Sequence, residues 1–312
     1  MRALVTGGCG FIGSNLSAAL ISGGHKVVIA DDLSGARKDF VNFLKENEEI
    51  EFLPACFSSD AVLEKILNKE IDVVFHNAAI PRVSYSVEQP FETTEVNIGR
   101  TVKLLETCRN NVKRFIFASS SSVYGGADIM PTPNNHLKSP KSPYAWQKSS
   151  IEDIIKIFVS LYDLDAVCLR YFNVFGPGQF GDSAYSTAVS AWCNAIKHDL
   201  PLRSDGTGEQ TRDMCYIDNV VQANLKAAAY NNRLIGQCLN VACGDRTSNN
   251  EILAFMKARY PKIKIINAPS RPGDVMHTQA DISETENIIS YAPTVRFWEG
   301  LERTLAWWNL ND

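Results

Sequence analysis

The sequence predicts an α/β fold in which a doubly wound parallel sheet is joined to a smaller, interleaved C-terminal α/β lobe. Three observations predict it. Short β-branched runs alternate with helical patterns through the first half of the chain, which is typical of a parallel sheet covered by helices on both faces. The first of these runs leads directly into a glycine-rich turn. After Arg170 the pattern changes, and glycine and proline punctuate a loop-rich region with fewer clear strands.

The elements of the predicted sheet follow one another in order. Strands are predicted at residues 3–6, 26–30, 51–54, 72–76, 114–118 and 166–170. Between them, helices are predicted to begin near Phe11, Asp60, Phe91 and Pro143, and long periodic patterns extend over residues 91–109 and 144–162. Two further strand–helix pairs follow, 214–217 with 218–230 and 238–242 with 249–259, before a final amphipathic helix at 298–308.

The length and composition fit this fold. The chain has 312 residues, of which 45% are apolar and 21% are charged, and these values are ordinary for a globular protein. The net charge of −4 provides neither a basic stripe for nucleic acid nor a polybasic patch for a membrane surface. No apolar run approaches the roughly 20 residues that cross a bilayer. We expect no signal peptide, because the sequence opens directly on a predicted strand.

The cysteines and histidines indicate a cytoplasmic protein without a metal site. None of the eight cysteines forms a Cys-x-x-Cys pair, and the five histidines show no metal-ligand spacing. Thiols scattered in this way are typical of a reducing compartment.

A glycine-rich turn follows the first strand. Residues 6–13 read TGGCGFIG, in which Gly8, Gly10 and Gly13 fit G-x-G-x-x-G and Gly7 adds a fourth glycine. Such a turn lets the backbone approach a pyrophosphate, which the N-terminus of the following helix attracts. Its position between a strand and a helix indicates a dinucleotide-binding domain of the Rossmann type.

An acidic residue at the end of the second strand indicates which dinucleotide binds. Asp31 stands 18 positions after Gly13, where a carboxylate accepts hydrogen bonds from the adenosine ribose and repels a 2′-phosphate. The sequence therefore favours NAD over NADP. Asp32 is the alternative ribose ligand, and Arg37 is the residue that could instead attract a 2′-phosphate. We expect an NAD-binding domain over residues 1–175, to which 214–242 return, and a substrate-binding lobe over 176–312.

Hydroxyl groups and a Tyr/Lys pair indicate the chemistry. The fifth predicted strand runs into four serines at residues 119–122, and ligands of an open parallel sheet bind beyond such strand ends. Tyr144 and Lys148 stand at i and i+4 of the next helix, so they project from one face. An ammonium about 4 Å from a phenol supplies roughly the 4 kcal/mol that lowers the phenol pKa from about 10 towards 7. The pair therefore predicts a tyrosine base.

Together these residues resemble the extended short-chain dehydrogenase/reductases, and among them the nucleotide-sugar epimerases. The resemblance covers nearly the whole chain and rests on segments 6–13, 76–79, 119–125, 142–148, 170–177 and 211–213, with Asp31 and Asn97. It implies that Tyr144 is the catalytic base, that Lys148 holds the ribose and tunes the tyrosine, and that Ser120 binds the sugar O4. Segments 170–176, 214–217 and 244–248 are most similar to UDP-N-acetylglucosamine 4-epimerases.

The resemblance implies two sets of binding residues. The cofactor set is Gly7, Gly10, Phe11, Ile12, Gly13, Asp31, Asp32, Ala78, Asn97, Tyr144 and Lys148. The substrate set is Ser120, Ser121, Ser122, Asn173, Arg212, Arg271, Asp274 and Thr278. Asn97 is expected to position nearby backbone, whereas Asn173, Arg212 and Arg271 resemble residues that grip the nucleotide diphosphate. Thr278 resembles the residue that walls the pocket for the sugar C2 group, and its small size implies that N-acetylated sugars are accepted.

The reaction that the resemblance implies is NAD-dependent C4 epimerisation of a UDP-sugar through a 4-keto intermediate. The expected substrates are UDP-GlcNAc and UDP-GalNAc, together with UDP-Glc and UDP-Gal. UDP-glucuronate 4-epimerases share the serine run but tend to carry threonine in place of Asn173. Sugar 4,6-dehydratases carry an Asp-Glu pair where this chain has Ser121-Ser122, and non-catalytic NAD-binding regulators usually lose the Tyr/Lys pair. The resemblance also implies a homodimer formed through the two long helices.

Overall fold

The computed structural model describes residues 1–47, 50–181, 187–270 and 275–310. The strands are β1 (Arg2–Thr6), β2 (Lys26–Ala30), β3 (Glu51–Leu53), β4 (Val73–His76), β5 (Arg114–Ser120), β6 (Ala166–Tyr171), β7 (Val174–Phe175), β8 (Leu202–Asp205), β9 (Thr211–Arg212), β10 (Cys215–Tyr216), β11 (Ile235–Val241), β12 (Thr247–Ser248) and β13 (Ile265–Ala268). The α-helices are α1 (Phe11–Ser22), α2 (Lys38–Glu46), α3 (Asp60–Leu67), α4 (Val83–Glu88), α5 (Pro90–Thr94), α6 (Thr101–Cys108), α7 (Pro143–Tyr162), α8 (Ala188–Lys197), α9 (Ile217–Ala229), α10 (Asn249–Arg259), α11 (Ser283–Ile289) and α12 (Phe297–Trp307). A π-helix covers Glu95–Arg100, and a 3₁₀-helix covers Ser121–Tyr124.

Seven strands form one parallel sheet in the order β11-β6-β5-β4-β1-β2-β3. The order reverses between β1 and β4, because the chain adds strands outward from β1 first on one side and then on the other. Ligands of such sheets bind beyond the strand ends at this point of reversal. The predicted α/β fold with a doubly wound parallel sheet is confirmed.

The two faces of the sheet have separate apolar cores, because successive side chains of a strand point to opposite faces. Ala3 and Val5 of β1 belong to the cluster that includes Leu16 of α1. Leu4 belongs to the cluster that includes Leu104 of α6 and Ile151 of α7. Helices on both faces explain why these strands read as continuous apolar runs.

The second half of the chain shares a core with the first. Trp192 in α8, Leu239 in β11 and Leu301 in α12 lie in the same buried cluster as Val5. The strand β11 also extends the main sheet, since it pairs in parallel with β6. The boundary between an NAD-binding domain and a substrate-binding lobe at residues 175 and 176 stays a prediction.

Several elements differ from those expected. The helix α2 was not predicted. The pattern over residues 91–109 is not one α-helix, because a π-helix at Glu95–Arg100 interrupts it between α5 and α6. The strand predicted at 214–217 is reduced to Cys215–Tyr216, and β11 begins three residues before the predicted start at residue 238.

Within the described ranges, no helix is both long enough and apolar enough to cross a bilayer. The same residues contain no group of three or more His, Cys, Asp or Glu side chains that could hold a metal ion. All eight cysteines carry free thiols, and seven of them are buried.

Candidate active site

The turn between β1 and α1 depends on the absence of side chains. Gly7 has a φ of +64°, and a Cβ atom there would lie 2.8 Å from the Cα atom of Ala78. A Cβ atom at Gly13 would overlap the carbonyl oxygen of Gly7. The turn, the end of β4 and the start of α1 are therefore in direct backbone contact, as a dinucleotide cradle requires.

The helix α1 begins immediately after this turn. Gly10 is the N-cap residue and makes no side-chain cap, and Phe11 and Ile12 form a half-buried first turn. The positive end of the helix dipole thus lies at the edge where the strands end, and it favours an anion there.

The carboxylate of Asp31 lies beside the glycine turn at the end of β2. Its Oδ2 atom accepts a hydrogen bond from the backbone N–H of Cys9 (2.9 Å), and its Oδ1 atom accepts one from Leu33 (2.8 Å). Burial raises the pKa of Asp31, and these backbone hydrogen bonds act in the opposite direction. Asp32 is exposed and turns back to Ser34, so of the two predicted ribose ligands Asp31 is the one that faces the turn.

Arg37 is held by partners of its own. Its Nη2 atom pairs with the Asp39 carboxylate at 2.6 Å, and its Nη1 atom donates to the Ser14 hydroxyl at 3.1 Å. A guanidinium engaged in this way is not presented to a 2′-phosphate, which agrees with the preference for NAD over NADP that Asp31 predicts.

The end of β4 is fixed by a buried histidine. His76 lies between the hydroxyls of Thr6 (2.7 Å from Nδ1) and Thr101 (2.9 Å from Nε2). Thr6 also accepts a hydrogen bond from the backbone N–H of Ala78 at 3.3 Å. Burial lowers the pKa of His76 to about 3, and the charge of Lys148 adds to the effect. The ring is therefore neutral and positions Ala78, a predicted cofactor residue.

Asn97 holds the loop that follows β4. Its Oδ1 atom accepts from the backbone N–H of Ile80 (2.8 Å), and its Nδ2 atom donates to the Ile80 carbonyl (3.1 Å) and to Gln147 of α7 (2.8 Å). Both amide hydrogens are thus used within the protein, and Asn97 acts through the backbone that it holds. It belongs to the π-helix at Glu95–Arg100, a distortion that frequently marks functional sites.

The structure brings Ser120, Tyr144 and Lys148 together. Ser142 caps α7, so that Tyr144 falls in its first turn and Lys148 in the second. A hydrogen bond with the Ser120 hydroxyl reaches the Tyr144 phenol. The Lys148 ammonium donates to the carbonyl oxygen of Ala118 at 2.7 Å and lies 5.8 Å from the centre of the Tyr144 ring.

The pKa values of this pair correct one expectation from the sequence. Burial raises the pKa of Tyr144 to about 12, although the Ser120 hydrogen bond opposes the rise. Burial lowers the pKa of Lys148 to about 8, although the charge of Glu152 opposes the fall. In this geometry burial of the phenol outweighs any lowering of its pKa by Lys148, whose ammonium donates to Ala118.

The side chains of the four serines at residues 119–122 differ in their surroundings. The Ser119 hydroxyl donates to Glu152 at 2.6 Å inside the protein. Ser120 points towards Tyr144, and its Oγ atom accepts from the backbone N–H of Ser122 at 3.2 Å. Ser121 is half-buried in the same 3₁₀ turn. The Ser122 hydroxyl is buried and has no hydrogen-bond partner among the described residues.

Two predicted substrate residues, Asn173 and Thr278, are in contact. The Nδ2 atom of Asn173 donates to the Thr278 hydroxyl oxygen at 3.2 Å and to the backbone carbonyl of Asp213 at 3.3 Å. The Thr278 oxygen also accepts from the backbone N–H of Asp213 at 3.2 Å. Thr278 is thus in contact with a residue that is expected to bind the nucleotide, and its role as a pocket wall stays a prediction.

Of the three remaining charged residues in the predicted substrate set, only Arg212 lies in the part of the chain that the structure describes. Arg212 donates from Nη1 to the carbonyl oxygens of Thr211 (2.9 Å) and Met276 (3.3 Å). Arg271 and Asp274 lie outside the described residues. The grip on the diphosphate stays a prediction for Arg212 and Arg271 alike.

Three charged residues have roles that sequence reasoning missed. The Asp213 carboxylate accepts from the backbone N–H groups of Cys243 (2.9 Å), Gly244 (3.0 Å) and Ala280 (3.0 Å). Burial raises the pKa of Asp213 to about 7, although these hydrogen bonds oppose the rise. Its signal in the sequence was an acidic residue directly before an apolar strand.

Glu152 and Arg170 form a fully buried ion pair, with Nη2 of the arginine 2.7 Å from Oε2 of the glutamate. Two signals could have found it. Glu152 stands four residues after Lys148, on the same face of the helix. Arg170 is a charge inside an otherwise apolar strand, where an unpaired charge would be very costly.

These residues fit NAD. The glycine turn leaves no room for a Cβ atom at Gly7 or Gly13, the N-terminus of α1 favours a phosphate, and Asp31 lies where a ribose would be bound. Lys148 and Tyr144 would hold the nicotinamide ribose at the far side of the reversal point. When bound, NAD supplies a carbon that accepts a hydride and returns it.

Comparison with known proteins agrees with this geometry. Residues 3–242 match the model of the family described as "NAD dependent epimerase/dehydratase family". A UDP-glucose 4-epimerase from Mycolicibacterium smegmatis is 31% identical, over 98% of this chain and 97% of its own.

Solved structures are similar over almost the whole chain. A UDP-N-acetylglucosamine 4-epimerase from Methanobrevibacter ruminantium, in complex with UDP-N-acetylmuramic acid, has a TM-score of 0.92 and 38% identity, with 99% of this chain and 98% of that chain covered. A UDP-glucuronic acid 4-epimerase from Bacillus cereus, in complex with UDP-glucuronic acid and NAD, has a TM-score of 0.90 and 32% identity, with 99% of both chains covered.

Proposed function

This chain belongs to the NAD dependent epimerase/dehydratase family, and on that premise we propose that it is a UDP-sugar 4-epimerase that uses NAD. The observation that carries the proposal is the convergence of Ser120, Tyr144 and Lys148 at the end of β5, on the same edge of the sheet as the glycine turn. A dehydratase needs an acid and a base for elimination, and Ser121 and Ser122 supply neither.

Tyr144 is the proton acceptor in the proposed mechanism. The Ser120 hydroxyl donates to the sugar O4, and the proton of the 4-hydroxyl passes to the phenolate oxygen of Tyr144 as the hydrogen on C4 leaves as a hydride, which bound NAD would accept. Because burial holds the phenol pKa high, the base requires positive charge beside it. Lys148 provides one such charge, and NAD bound in its oxidised form would supply a second.

The second half of the reaction reverses the first on the other face of the sugar. The 4-keto sugar rotates within the pocket, the hydride returns to the opposite face of C4, and Tyr144 returns its proton to O4. The sum of the two halves is an inverted C4 centre with no net oxidation. Ser120 and Tyr144 therefore bind the oxygen at C4 in both orientations of the ring.

Thr278 supports N-acetylated substrates. Its side chain is small, half-buried, and 3.2 Å from Asn173, so the space beside the sugar C2 is not filled by a bulky side chain at this position. We propose that UDP-GlcNAc and UDP-GalNAc are substrates together with UDP-Glc and UDP-Gal. Asn173, Arg212, Arg271 and Asp274 are proposed to bind the nucleotide.

The location and the division of the chain are also proposals. Eight free thiols support a reducing cytoplasm, where both NAD and nucleotide sugars are used. Residues 1–175 with 214–242 are proposed to hold NAD, and 176–312 to hold the substrate.

An exposed apolar stripe supports a homodimer. Trp146, Ile157 and Leu161 are each at least half exposed on α7, and Phe91 is 84% exposed on the neighbouring α5. Residues 146, 157 and 161 share one face of the helix, because they recur at helical spacing. Apolar groups gathered on one surface favour an interface, and a two-fold axis would pair this stripe with itself.

Product analysis tests the proposed function. The purified protein is incubated separately with UDP-GlcNAc, UDP-Glc and UDP-GlcA, and the C4 epimers are resolved by NMR. We expect UDP-GalNAc and UDP-Gal to form. Conversion of UDP-GlcA alone would replace this proposal with the UDP-glucuronate 4-epimerase, and a 4-keto-6-deoxy product would indicate a dehydratase.

The variant Tyr144→Phe identifies the base. It removes only the phenolic oxygen, so kcat is expected to fall by about 10²–10⁴-fold, while NAD binding and the unfolding midpoint stay close to those of the wild type. Turnover at the wild-type rate would show that another group takes the proton.

A further inference from the structure

A buried ion pair lies directly behind the proposed catalytic residues. Arg170 of β6 binds the carboxylate of Glu152 through two hydrogen bonds, from Nε at 2.8 Å and from Nη2 at 2.7 Å. The same carboxylate accepts a hydrogen bond from Ser119 at 2.6 Å. Since Ser119 and Ser120 are consecutive in β5, the ion pair fixes the strand at the point where it presents Ser120 to Tyr144.

The hydrogen bonds continue from Arg170 to the other side of the site. Its Nη1 atom donates to the Tyr124 hydroxyl at 2.8 Å, which donates to Oδ1 of Asn240 at 2.7 Å. Asn240 in turn donates to the backbone carbonyl of Asp281 at 3.0 Å. Asp281 is three residues after Thr278, so the chain of bonds ends in the segment that carries the proposed pocket wall.

We propose that the Glu152–Arg170 ion pair is a positioning element of this enzyme, which holds the edge of β5 that carries Ser120 at a fixed distance from the segment that carries Thr278. The inference rests on the proposed function, because it concerns the alignment of the reacting sugar. Neither residue is placed in contact with substrate.

The geometry of the pair favours alignment over stability as its contribution. Burying two charges costs free energy that their attraction only partly offsets, so a buried pair is a poor stabiliser compared with apolar packing. A forked guanidinium that binds a carboxylate through two atoms does, however, fix both distance and plane. Every side chain along this route, from Ser119 to Asn240, is at least nine-tenths buried.

The carboxylate also affects Lys148. Glu152 is one helical turn beyond Lys148, and its charge opposes the lowering of the lysine pKa by burial. Burial alone would raise the pKa of Glu152 itself, but Arg170, Ser119 and Lys138 outweigh it and keep the carboxyl ionised. The titratable groups facing this cluster include His76 from β4, Tyr124 from the 3₁₀-helix, Cys168 from β6, Cys238 from β11 and Tyr144 from α7.

The variant Glu152→Gln tests the proposal. Glutamine keeps the size of the side chain and an acceptor for Ser119, but it removes the charge and the bidentate bond to Arg170. We expect kcat to fall by about 10–100-fold, because small misplacements of reacting groups have effects of this size. As the pH rises, the affinity for NAD is also expected to fall at a lower pH than in the wild type. The reason is that Lys148 loses its proton more easily without the nearby carboxylate.

A second ion pair provides the matched control. Arg114, the first residue of β5, binds Asp165, just before β6, with 2.8 Å from Nε to Oδ1 and 2.8 Å from Nη2 to Oδ2. This pair joins the start of β5 to the residue before β6, at the ends of these strands away from Ser120 and Arg170. Asp165→Asn should lower the unfolding midpoint, yet leave kcat per folded molecule within about twofold and the pH dependence of NAD binding unchanged.

The measurements are kcat and KM for UDP-GlcNAc, the unfolding midpoint, and the Kd of NAD between pH 6 and 10 by tryptophan fluorescence. The proposal is overturned if Glu152→Gln loses stability but matches Asp165→Asn in kcat per folded molecule and in the pH dependence of the NAD Kd. Because the Kd of NAD needs no turnover, a wild type that epimerises no UDP-sugar refutes the proposed function and still leaves the effect of Glu152 on Lys148 measurable.

Discussion

Lys148 shows how a single residue can serve the reaction and oppose folding. Folding lowers its pKa from 10.5 to about 8, chiefly through burial, so the unfolded chain binds this proton more tightly than the folded one. The free energy of unfolding is therefore highest, as far as Lys148 is concerned, above pH 10.5. This stability is lost as the pH falls through 8. At neutral pH the folded protein carries a buried ammonium that destabilises it.

Lys148→Met should consequently stabilise the protein while it abolishes turnover. We expect the free energy of unfolding at pH 7 to increase by about 1–3 kcal/mol, which is the linkage term reduced by the lost hydrogen bond to Ala118. Denaturant titrations at pH 7 and pH 10.5 measure this, and the gain should shrink at the higher pH. Lys156→Met, at an exposed site of the same helix, should change stability by less than about 0.5 kcal/mol. A destabilised Lys148→Met variant would contradict the argument.

Thr278 is the residue at which substrate size can be tested. Thr278→Tyr should depress the kcat/KM of UDP-GlcNAc far more than that of UDP-Glc, because bulk beside C2 excludes only the acetamido group. The substitution also removes the hydrogen bonds to Asn173 and Asp213. Thr278→Val removes these bonds without adding bulk, so its losses should be similar for both sugars. Equal losses in the tyrosine variant would show that Thr278 does not wall the pocket.

At the scale of elements, the junction of β1 and α1 gives the sharpest prediction. Gly13→Ala would drive a Cβ atom into the carbonyl oxygen of Gly7, and the turn would have to open. NAD affinity is expected to fall by at least about tenfold, measured by fluorescence titration. Gly99→Ala is the control, because a Cβ atom there meets no atom within 4 Å and alanine favours a helix by up to about 1 kcal/mol. Normal NAD binding by Gly13→Ala would exclude this turn from the cofactor site.

Elements with a strong local pattern were predictable, and those fixed by distant partners were not. The strands of the main sheet were predicted from apolar runs. The spacing of Tyr144 and Lys148 predicted that both side chains lie on one face of α7. The π-helix at Glu95–Arg100 was not predictable, because it depends on hydrogen bonds that join Asn97 to Ile80 and to Gln147. The direction of the pKa shift of Tyr144 could not be predicted from the sequence either. It depends on how deeply the phenol is buried and on where the Lys148 ammonium points.

At the scale of the whole molecule, the exposed stripe on α7 predicts the oligomeric state. Light scattering coupled to gel filtration should give the wild type twice the mass of the chain. Leu161→Glu should shift it towards a single chain, because a charge would be buried at the two-fold axis. Leu67→Glu alters another exposed leucine, 56% exposed at the end of α3 and away from this stripe, and should leave the mass unchanged. A wild type with the mass of one chain would remove the proposed dimer.

The position of β11 in the sheet has a consequence for how the chain is made. The strand β6 ends at Tyr171, whereas its outer neighbour β11 begins only at Ile235. During synthesis on the ribosome, the N–H and C=O groups along the outer edge of β6 therefore remain unpaired until β11 is made. An unpaired edge of this kind can pair with other nascent chains. A gene broken between these two strands would yield no half that could complete the sheet.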